Sequence, residues 1–418
     1  MHPKIERMQD MKADVIIAGG GQAGATVAIT LRQLGYAGSV LILDAGAEPT
    51  YERPPLSKEY MAGQRSFERC LIRPQGFWAE QRISLLHSAR AVAVDAAARQ
   101  ITLADGRTLG FSKLVWAAGG IPRRLLCPGA NLGGVFTLHD KLDADAIIAR
   151  LPRVQRAVVI GGGYIGLEVA AALVKQGQQV TVLEAQDRVL ARVAGEDLSR
   201  FIEAEHRAHG VDLRLGAQVA EILGTNGEAT GVRLADGSTI LADLVIVGIG
   251  IVPQAEPLLA AGAAGGNGVE VDEFCETNLP GIYAAGDCAR HRNHYADNAW
   301  VRLESVQNAT DQAITVAHAI AGQPKPYTAL PWFWSNQYDL RLQSAGLSIG
   351  HDETVIRGDM TQRSFSILYL RQGQVIALDC VNCTKDFVPG KALVASGARF
   401  SPILLQDETQ PLKALLPA

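Results

Sequence analysis

The 418-residue chain lacks any run of roughly eighteen uninterrupted apolar residues, so no helix in it is expected to span a bilayer. It also lacks an excess of charge of either sign. Lys and Arg number 39 against 43 Asp and Glu, a net charge of −4, which leaves no field to gather nucleic acid or anionic lipid. Neither kind of partner is expected. Cysteine is sparse: Cys70, Cys127, Cys275, Cys288, Cys380 and Cys383 are scattered and follow no secretion signal, which argues against a disulfide framework and for reduced thiols. The first thirteen residues carry Lys4, Glu6, Arg7, Asp10 and Lys12 but no apolar stretch of signal-peptide length, and read as a frayed polar leader of a cytoplasmic protein. A second Cys or His pair at zinc spacing, to accompany Cys380 and Cys383, is missing too. Cys380 and Cys383 form C-x-x-C without a helical or βαβ context and read as ordinary thiols, while His206 and His209 read as a solvated helix end; no metal is expected. What remains is an ordinary globular composition, 48% hydrophobic and 20% charged, too long for one core.

The most informative feature present is an internal echo. A buried strand, a glycine turn, an alanine-rich helix and a second strand ending in a carboxylate occur twice. In the first copy Val15–Ile17 make the strand, Gly19 to Gly24 the turn, Ala25 to Leu34 the helix and Val40 to Leu43 the second strand, closed by Asp44. In the second copy Val158–Ile160 lead into Gly161 to Gly166, a helix to about Lys175, and Val180 to Leu183 before Glu184. Each is the opening βαβ unit of a doubly wound nucleotide fold, whose strands are buried on both faces and therefore read as continuous apolar runs. Two further strands end in glycine turns, Leu114 to Gly120 and Leu244 to Gly250, and look like crossing points between domains. After the proline-rich stretch 324–331 comes an aromatic cluster, Trp332, Phe333, Trp334 and Tyr338, then strand-like segments such as Phe365 to Leu370. The expected fold class is α/β, two doubly wound dinucleotide-binding domains plus a C-terminal α+β domain. The expected boundaries are residues 1–119 with 254–328 for the first dinucleotide-binding domain, 120–253 for the second and 329–418 for the C-terminal domain.

Gly19, Gly21 and Gly24 fit G-x-G-x-x-G, in which missing side chains let backbone amides approach a pyrophosphate at a helix N-terminus. Asp44, twenty residues beyond Gly24, can accept from ribose hydroxyls. Gly161, Gly163 and Gly166 repeat the fingerprint, and Glu184 takes the ribose position, where its charge would repel the 2′-phosphate of NADPH; NADH is favoured. Arg188 and Arg192, a few residues on, could instead meet such a phosphate. Two dinucleotide sites in one chain imply a relay from a nicotinamide to an acceptor ring, for which flavin is the natural choice. Thr277 to Asp287, TNLPGIYAAGD, reads as a strand delivering Asp287 toward a flavin hydroxyl. A redox cysteine pair near the first glycine turn would signal disulfide chemistry. The segment after Asp44 instead reads RPPLSK, Arg53 to Lys58, without sulfur.

Nearly the whole chain resembles the putidaredoxin-reductase-type ferredoxin reductases, within the pyridine nucleotide-disulfide oxidoreductase-like superfamily. The resemblance rests on RPPLSKEY (Arg53–Tyr60), the segment from Val158 to Ala172, GDCAR (Gly286–Arg290), WVRLESVQNA (Trp300–Ala309) and PWFWSNQYD (Pro331–Asp339). It implies that Ala23 and its neighbouring glycines cradle the FAD pyrophosphate, with Asp44 on the ribose and Arg53 along the adenine. Lys58 would stand near the flavin ring, Asp287 would bind the ribityl chain and Val306 would present backbone to the pyrimidine edge; Ala91 and Gly119 complete the FAD set. Tyr164, Ile165 and Gly250 join the second glycine turn as NAD contacts, and Glu168 would hold the nicotinamide carboxamide. Trp332 and Trp334 would cover the flavin toward a docked partner. The implied activity is hydride transfer from NADH to FAD, then single-electron transfer to a [2Fe–2S] ferredoxin serving a cytochrome monooxygenase or Rieske dioxygenase. Two positions depart from the family pattern: Ala118 stands where a threonine is usual, and His139 where an arginine often follows a Thr-Leu pair. Both suggest weaker FAD retention. Alternatives left open are an NADH reductase of a small acceptor (oxygen, a quinone, monodehydroascorbate) and a redox-signalling flavoprotein.

Overall fold

A computed structural model describes residues 12–416, so the leader expected over residues 1–13 lies, up to residue 11, outside the described residues. Residues 12 and 13 already belong to a strand, Lys12–Ala18. The chain divides into two compact units. One gathers the residues up to Glu52 with Phe67–Ile121 and Val252–Pro331, the other Arg53–Ser66, Pro122–Ile251 and the residues from Trp332 onward.

The first unit is built on a seven-stranded sheet. Its parallel part runs Ile83–Leu86, Val40–Leu43, Lys12–Ala18, Thr108–Trp116 and Ile282–Ala284, and an antiparallel hairpin, Ala91–Asp95 with Gln100–Leu103, extends it. Val15, Ile16, Ile17 and Ile42 are fully buried, as strands covered on both faces require. The Gln22–Gln33 helix buries Ala25, Val27, Ala28 and Leu31 on this sheet, and its many alanines permit close approach to the Val306–Ile320 helix, which presents Ala309, Ala313 and Ala317. A smaller sheet carries Gly268–Val271, Ala289–Asn293 and Ala299–Val301.

The second unit contains a five-stranded parallel sheet in the order Asp212–Arg214, Gln179–Leu183, Arg156–Ile160, Leu244–Val247, Val135–Phe136. Beyond it lies a five-stranded antiparallel sheet, Trp332–Gln337, Leu340–Gly346, Gln374–Val381, Ser364–Arg371 and Glu353–Asp359, backed by the Thr384–Ser396 helix. The two sheets share a core: Phe201 and Phe365 meet edge to face at 4.8 Å among Leu198, Ile202, Leu342 and Ile367. Residues 53–66 join the same unit and bury Met61 in this core. No helix among the described residues is long and apolar enough to cross a membrane.

Candidate functional site: two nucleotide cradles and a buried Lys–Glu pair

The first glycine turn follows a strand end at Ala18. Gly19 adopts φ +116°, and a side chain there would strike the Ala117 carbonyl at 2.2 Å, while one on Gly24 would strike the Gly19 carbonyl at 1.9 Å. Only glycine closes this turn. A Cβ on Gly21, in contrast, would meet nothing within 4 Å. Gly21 is the N-cap of the Gln22–Gln33 helix and offers no side-chain cap, so the first amides of the helix face that open space without an intramolecular acceptor. Asp44 lies against Gly20 and accepts from the Gly46 amide at 3.0 Å. An uncapped helix N-terminus with a carboxylate on the next strand end fits a dinucleotide: the amides match its pyrophosphate and the carboxylate its ribose. Ala23 is buried beside the turn, and a Cβ on Gly286, which sits at φ +80°, would come within 3.3 Å of Ala23 and 3.6 Å of Ala309. Asp287 follows it, and Val306 opens the helix capped by Ser305, whose hydroxyl accepts from the Asn308 amide at 3.1 Å. Ala91 begins the antiparallel hairpin, and Gly119 sits at φ +65° beyond the Thr108–Trp116 strand. All of these lie in the first unit.

The second cradle repeats the geometry. Gly161 takes φ +110° against the Gly248 carbonyl, a Cβ on Gly166 would strike the Gly161 carbonyl at 2.1 Å, and Gly163 faces open space as an uncapped N-cap of the Tyr164–Lys175 helix. Glu184 caps the turn: one oxygen accepts from the Gly162 amide at 2.7 Å, the other from the Gln186 amide at 2.8 Å. The two arginines downstream separate in role. Arg188 spends its guanidinium on the Ala191 and Ala194 carbonyls and the Ser199 hydroxyl, tying down the loop after Glu184. Arg192 instead reaches over Gly250, which sits at φ +97°. Ile165 is half exposed at the helix start, whereas Tyr164 packs its ring on Phe333 at 4.5 Å, and burial pushes its hydroxyl pKa up.

Lys58 and Glu168 are brought together in this second unit. The ammonium lies 2.5 Å from Glu168 Oε2, and the carboxylate, 4% exposed, also accepts from Ser57 Oγ and Ser335 Oγ, each at 2.7 Å. A buried carboxylate needs such partners, since an unpaired charge in a dry interior is far costlier than one in water. The fit explains the local sequence: Pro54 and Pro55 set a single 3-10 turn, Pro54–Ser57, that ends with Ser57 and Lys58 aimed at one oxygen. Ser57 and Ser335 are site residues that sequence reasoning passed over. Both nevertheless stand inside the two distinctive segments RPPLSKEY and PWFWSNQYD.

Arg53 donates to the His139 carbonyl at 2.9 Å and places Nη1 2.5 Å from His139 Nε2, a contact that suits a neutral imidazole accepting from the guanidinium. Trp332 and Trp334 lie 5.6 Å apart on the edge strand Trp332–Gln337, both half-buried, with Lys391 stacked over Trp332. Helix Glu196–Ala208 corrects one expectation: His206 is fully buried, not solvated, bonded to Gln337 and Tyr338, and only His209 stays exposed, stacked on Tyr338 at 3.7 Å. Amphipathic spacing had no means of announcing that the C-terminal sheet covers this face. All six cysteines are free. Cys380 and Cys383 are buried, and desolvation pushes both thiols up, which keeps them protonated and poor as nucleophiles. No group of side chains suited to a metal ion occurs among the described residues.

Comparison with known proteins agrees with this geometry. Residues 13–313 match the pyridine nucleotide-disulphide oxidoreductase family and residues 332–416 the reductase C-terminal family. The chain is 56% identical over 406 residues to the ferredoxin reductase subunit of 5,5′-dehydrodivanillate O-demethylase from Sphingobium, covering 97% of this chain and 98% of that one. It is 40% identical over 410 residues to putidaredoxin reductase from Pseudomonas putida, covering 97% of each. Its fold superposes on the reductase in a covalent putidaredoxin reductase–putidaredoxin complex with a TM-score of 0.93, at 39% identity and over 96% of this chain and 98% of that one. The chain belongs to the putidaredoxin-reductase-type branch of the pyridine nucleotide-disulphide oxidoreductase family.

Proposed function

We propose that this protein is an NADH-dependent ferredoxin reductase that holds FAD in the first unit, binds NADH in the second and passes electrons to a [2Fe–2S] ferredoxin serving a terminal oxygenase. The observation that carries the reading is the duplicated cradle: two uncapped helix N-termini behind glycine-only turns, each with a carboxylate on the next strand end. Bound FAD supplies the chemistry the chain cannot, accepting a hydride from NADH and releasing its two electrons singly. The residues bind and orient. Amides at Gly21 and Gly163 take the two pyrophosphates, Asp44 and Glu184 the riboses, and Glu168 accepts from the nicotinamide carboxamide. Lys58 holds a fixed positive charge that favours an electron-rich ring. Glu184, fixed by two backbone amides, disfavours a 2′-phosphate, and Arg188 is committed to its own loop and does not offset that repulsion. Relatives alike from end to end, the ferredoxin reductase subunit of an O-demethylase and the ferredoxin–NAD(+) reductase component of a p-cumate 2,3-dioxygenase system, support the choice of acceptor. The reading includes a cytoplasmic location, supported by six free cysteines.

The test is NADH-dependent cytochrome c reduction by the purified flavoprotein, with and without a [2Fe–2S] ferredoxin, repeated with NADPH. A large ferredoxin-dependent rate with NADH alone is expected. A rate that ignores ferredoxin would overturn the electron-transfer reading and leave a small-acceptor reductase.

A further inference from the structure

The first unit contains a buried polar chain that the two cradles do not use. It begins at Gly286, whose amide donates to Gln312 Oε1 at 2.8 Å. Gln312, Asn308, Asn293 and His291 are all between 0% and 3% exposed. Their orientations are fixed by backbone groups of known polarity. Gln312 must turn its oxygen to the Gly286 N–H, and Asn308 must turn its amide nitrogen to the Leu303 carbonyl at 3.1 Å, which leaves its oxygen to the Tyr327 hydroxyl at 2.9 Å. Asn293 must turn its oxygen to the Tyr295 N–H at 2.8 Å. Gln312 Nε2 and Asn293 Nδ2 therefore both point at the imidazole of His291, 3.1 Å from Nδ1 and 3.0 Å from Nε2. A neutral imidazole has one lone pair for these two donors, and an imidazolium has none. The ring is held neutral, as its burial also dictates.

This arrangement is expensive unless something requires Gln312 to face Gly286. The Gly286–Asp287 turn is held at three points: its amide by Gln312, the Asp287 carbonyl by Arg302 at 3.0 Å, and the side where a Cβ on Gly286 would project by Ala23 and Ala309, 3.3 and 3.6 Å from that position. We infer that Gln312 is a positioning residue that sets the Gly286–Asp287 turn for FAD, with His291 and Asn308 fixing the amide from behind. The inference rests on the proposal that the first unit holds FAD.

Two substitutions separate this role from mere packing. Gln312→Leu keeps the volume and removes the acceptor for Gly286. Gln312→Glu keeps that acceptor and gives a His291 Nδ1–H an acceptor where glutamine presents a donor. Flavin fluorescence released on dilution of the full-length holoenzyme reads the FAD dissociation constant, and dye equilibration reads the flavin reduction potential. Gln312→Leu is expected to weaken FAD binding at least tenfold and to move the potential, and Gln312→Glu to stay within about threefold of wild type. Tyr327→Phe, which removes a hydroxyl at the far end of the chain, is expected to lower the melting temperature without changing either flavin readout. Wild-type affinity and potential in Gln312→Leu would overturn the inference, as would equal weakening in the Leu and Glu variants. Should Gln312→Leu fail to fold, the Glu variant decides: retention supports the role and a tenfold loss overturns it. A wild-type protein that binds no FAD would instead sink the proposed function, and this inference with it.

Discussion

Lys58 and Glu168 sit 110 residues apart in sequence and 2.5 Å apart in space, and their energetics follow from burial rather than from charge alone. Coulomb attraction in a partly dry site is offset by the desolvation of both ions, so the pair contributes little net stability, yet losing one partner strands the other. Lys58→Met leaves Glu168 with two serine hydroxyls and no cation, and is expected to destabilise the second unit by about 3 kcal/mol. Lys58→Met combined with Glu168→Gln should recover a large part of that loss. Urea unfolding of the two single variants and the double variant checks this, and strictly additive losses would contradict the coupling. The sequence pointed to each residue separately, through the segments that carry them. It did not point to their contact, because Glu168 by itself reads as a helix-start carboxylate favoured by the helix dipole. A pairing at that separation has no local signal.

At the scale of elements the sequence was most legible where a single element decides its own form. The strand Val40–Leu43 and the end of the Tyr164–Lys175 helix fall where apolar runs and periodicity place them, since two-sided burial and the next glycine turn fix them locally. Helix Glu196–Ala208 was half legible. Its polar face follows from sequence, but His206 is roofed by Gln337 and Tyr338 from a strand 131 residues away. Gln337 Nε2 donates to Ser335 at 3.2 Å, so its oxygen faces His206: Nε2–H donates at 2.8 Å, and Nδ1 accepts from the Tyr338 hydroxyl. Burial, and then the nearby charge of His209, depresses this imidazole to about 4, the Gln337 bond opposing the shift. The folded state therefore keeps His206 neutral while the unfolded chain takes up a proton near pH 6.5. The stabilisation is complete above pH 6.5 and is lost as the pH falls toward 4, amounting to about 2 kcal/mol by pH 5. His206→Gln should flatten the fall in urea midpoint between pH 7.5 and 5. An unchanged slope would remove His206 as its cause.

The described residues form two compact units, each with its own buried core, threaded by one chain that leaves and re-enters each of them. Local pattern finds the two nucleotide folds because each repeats a known period. It does not find the excursion of residues 53–66 into the second unit, nor the way Phe201 of the Glu196–Ala208 helix meets Phe365 where that unit's parallel sheet and C-terminal antiparallel sheet share a core, since both are contacts between distant stretches. Two cores make a single unfolding free energy a poor description of the chain. They also allow the two nucleotide assignments to be read separately. A ligand that binds only the folded form of one core stabilises that core by RT ln(1 + [L]/Kd), about 2.7 kcal/mol at a hundredfold excess over Kd. Removing FAD should lower the transition of the unit carrying Gly21 and Asp44, and adding NAD+ should raise that of the unit carrying Gly163 and Glu184. NADPH at the same concentration should move neither by a comparable amount if, as proposed, Glu184 disfavours its phosphate. Differential scanning calorimetry of the holoenzyme and the deflavo protein, each with and without NAD+, resolves the two cases. Two transitions answering to different nucleotides are expected; one transition moved alike by both would mean that the cores unfold together and that neither cradle can be assigned in this way.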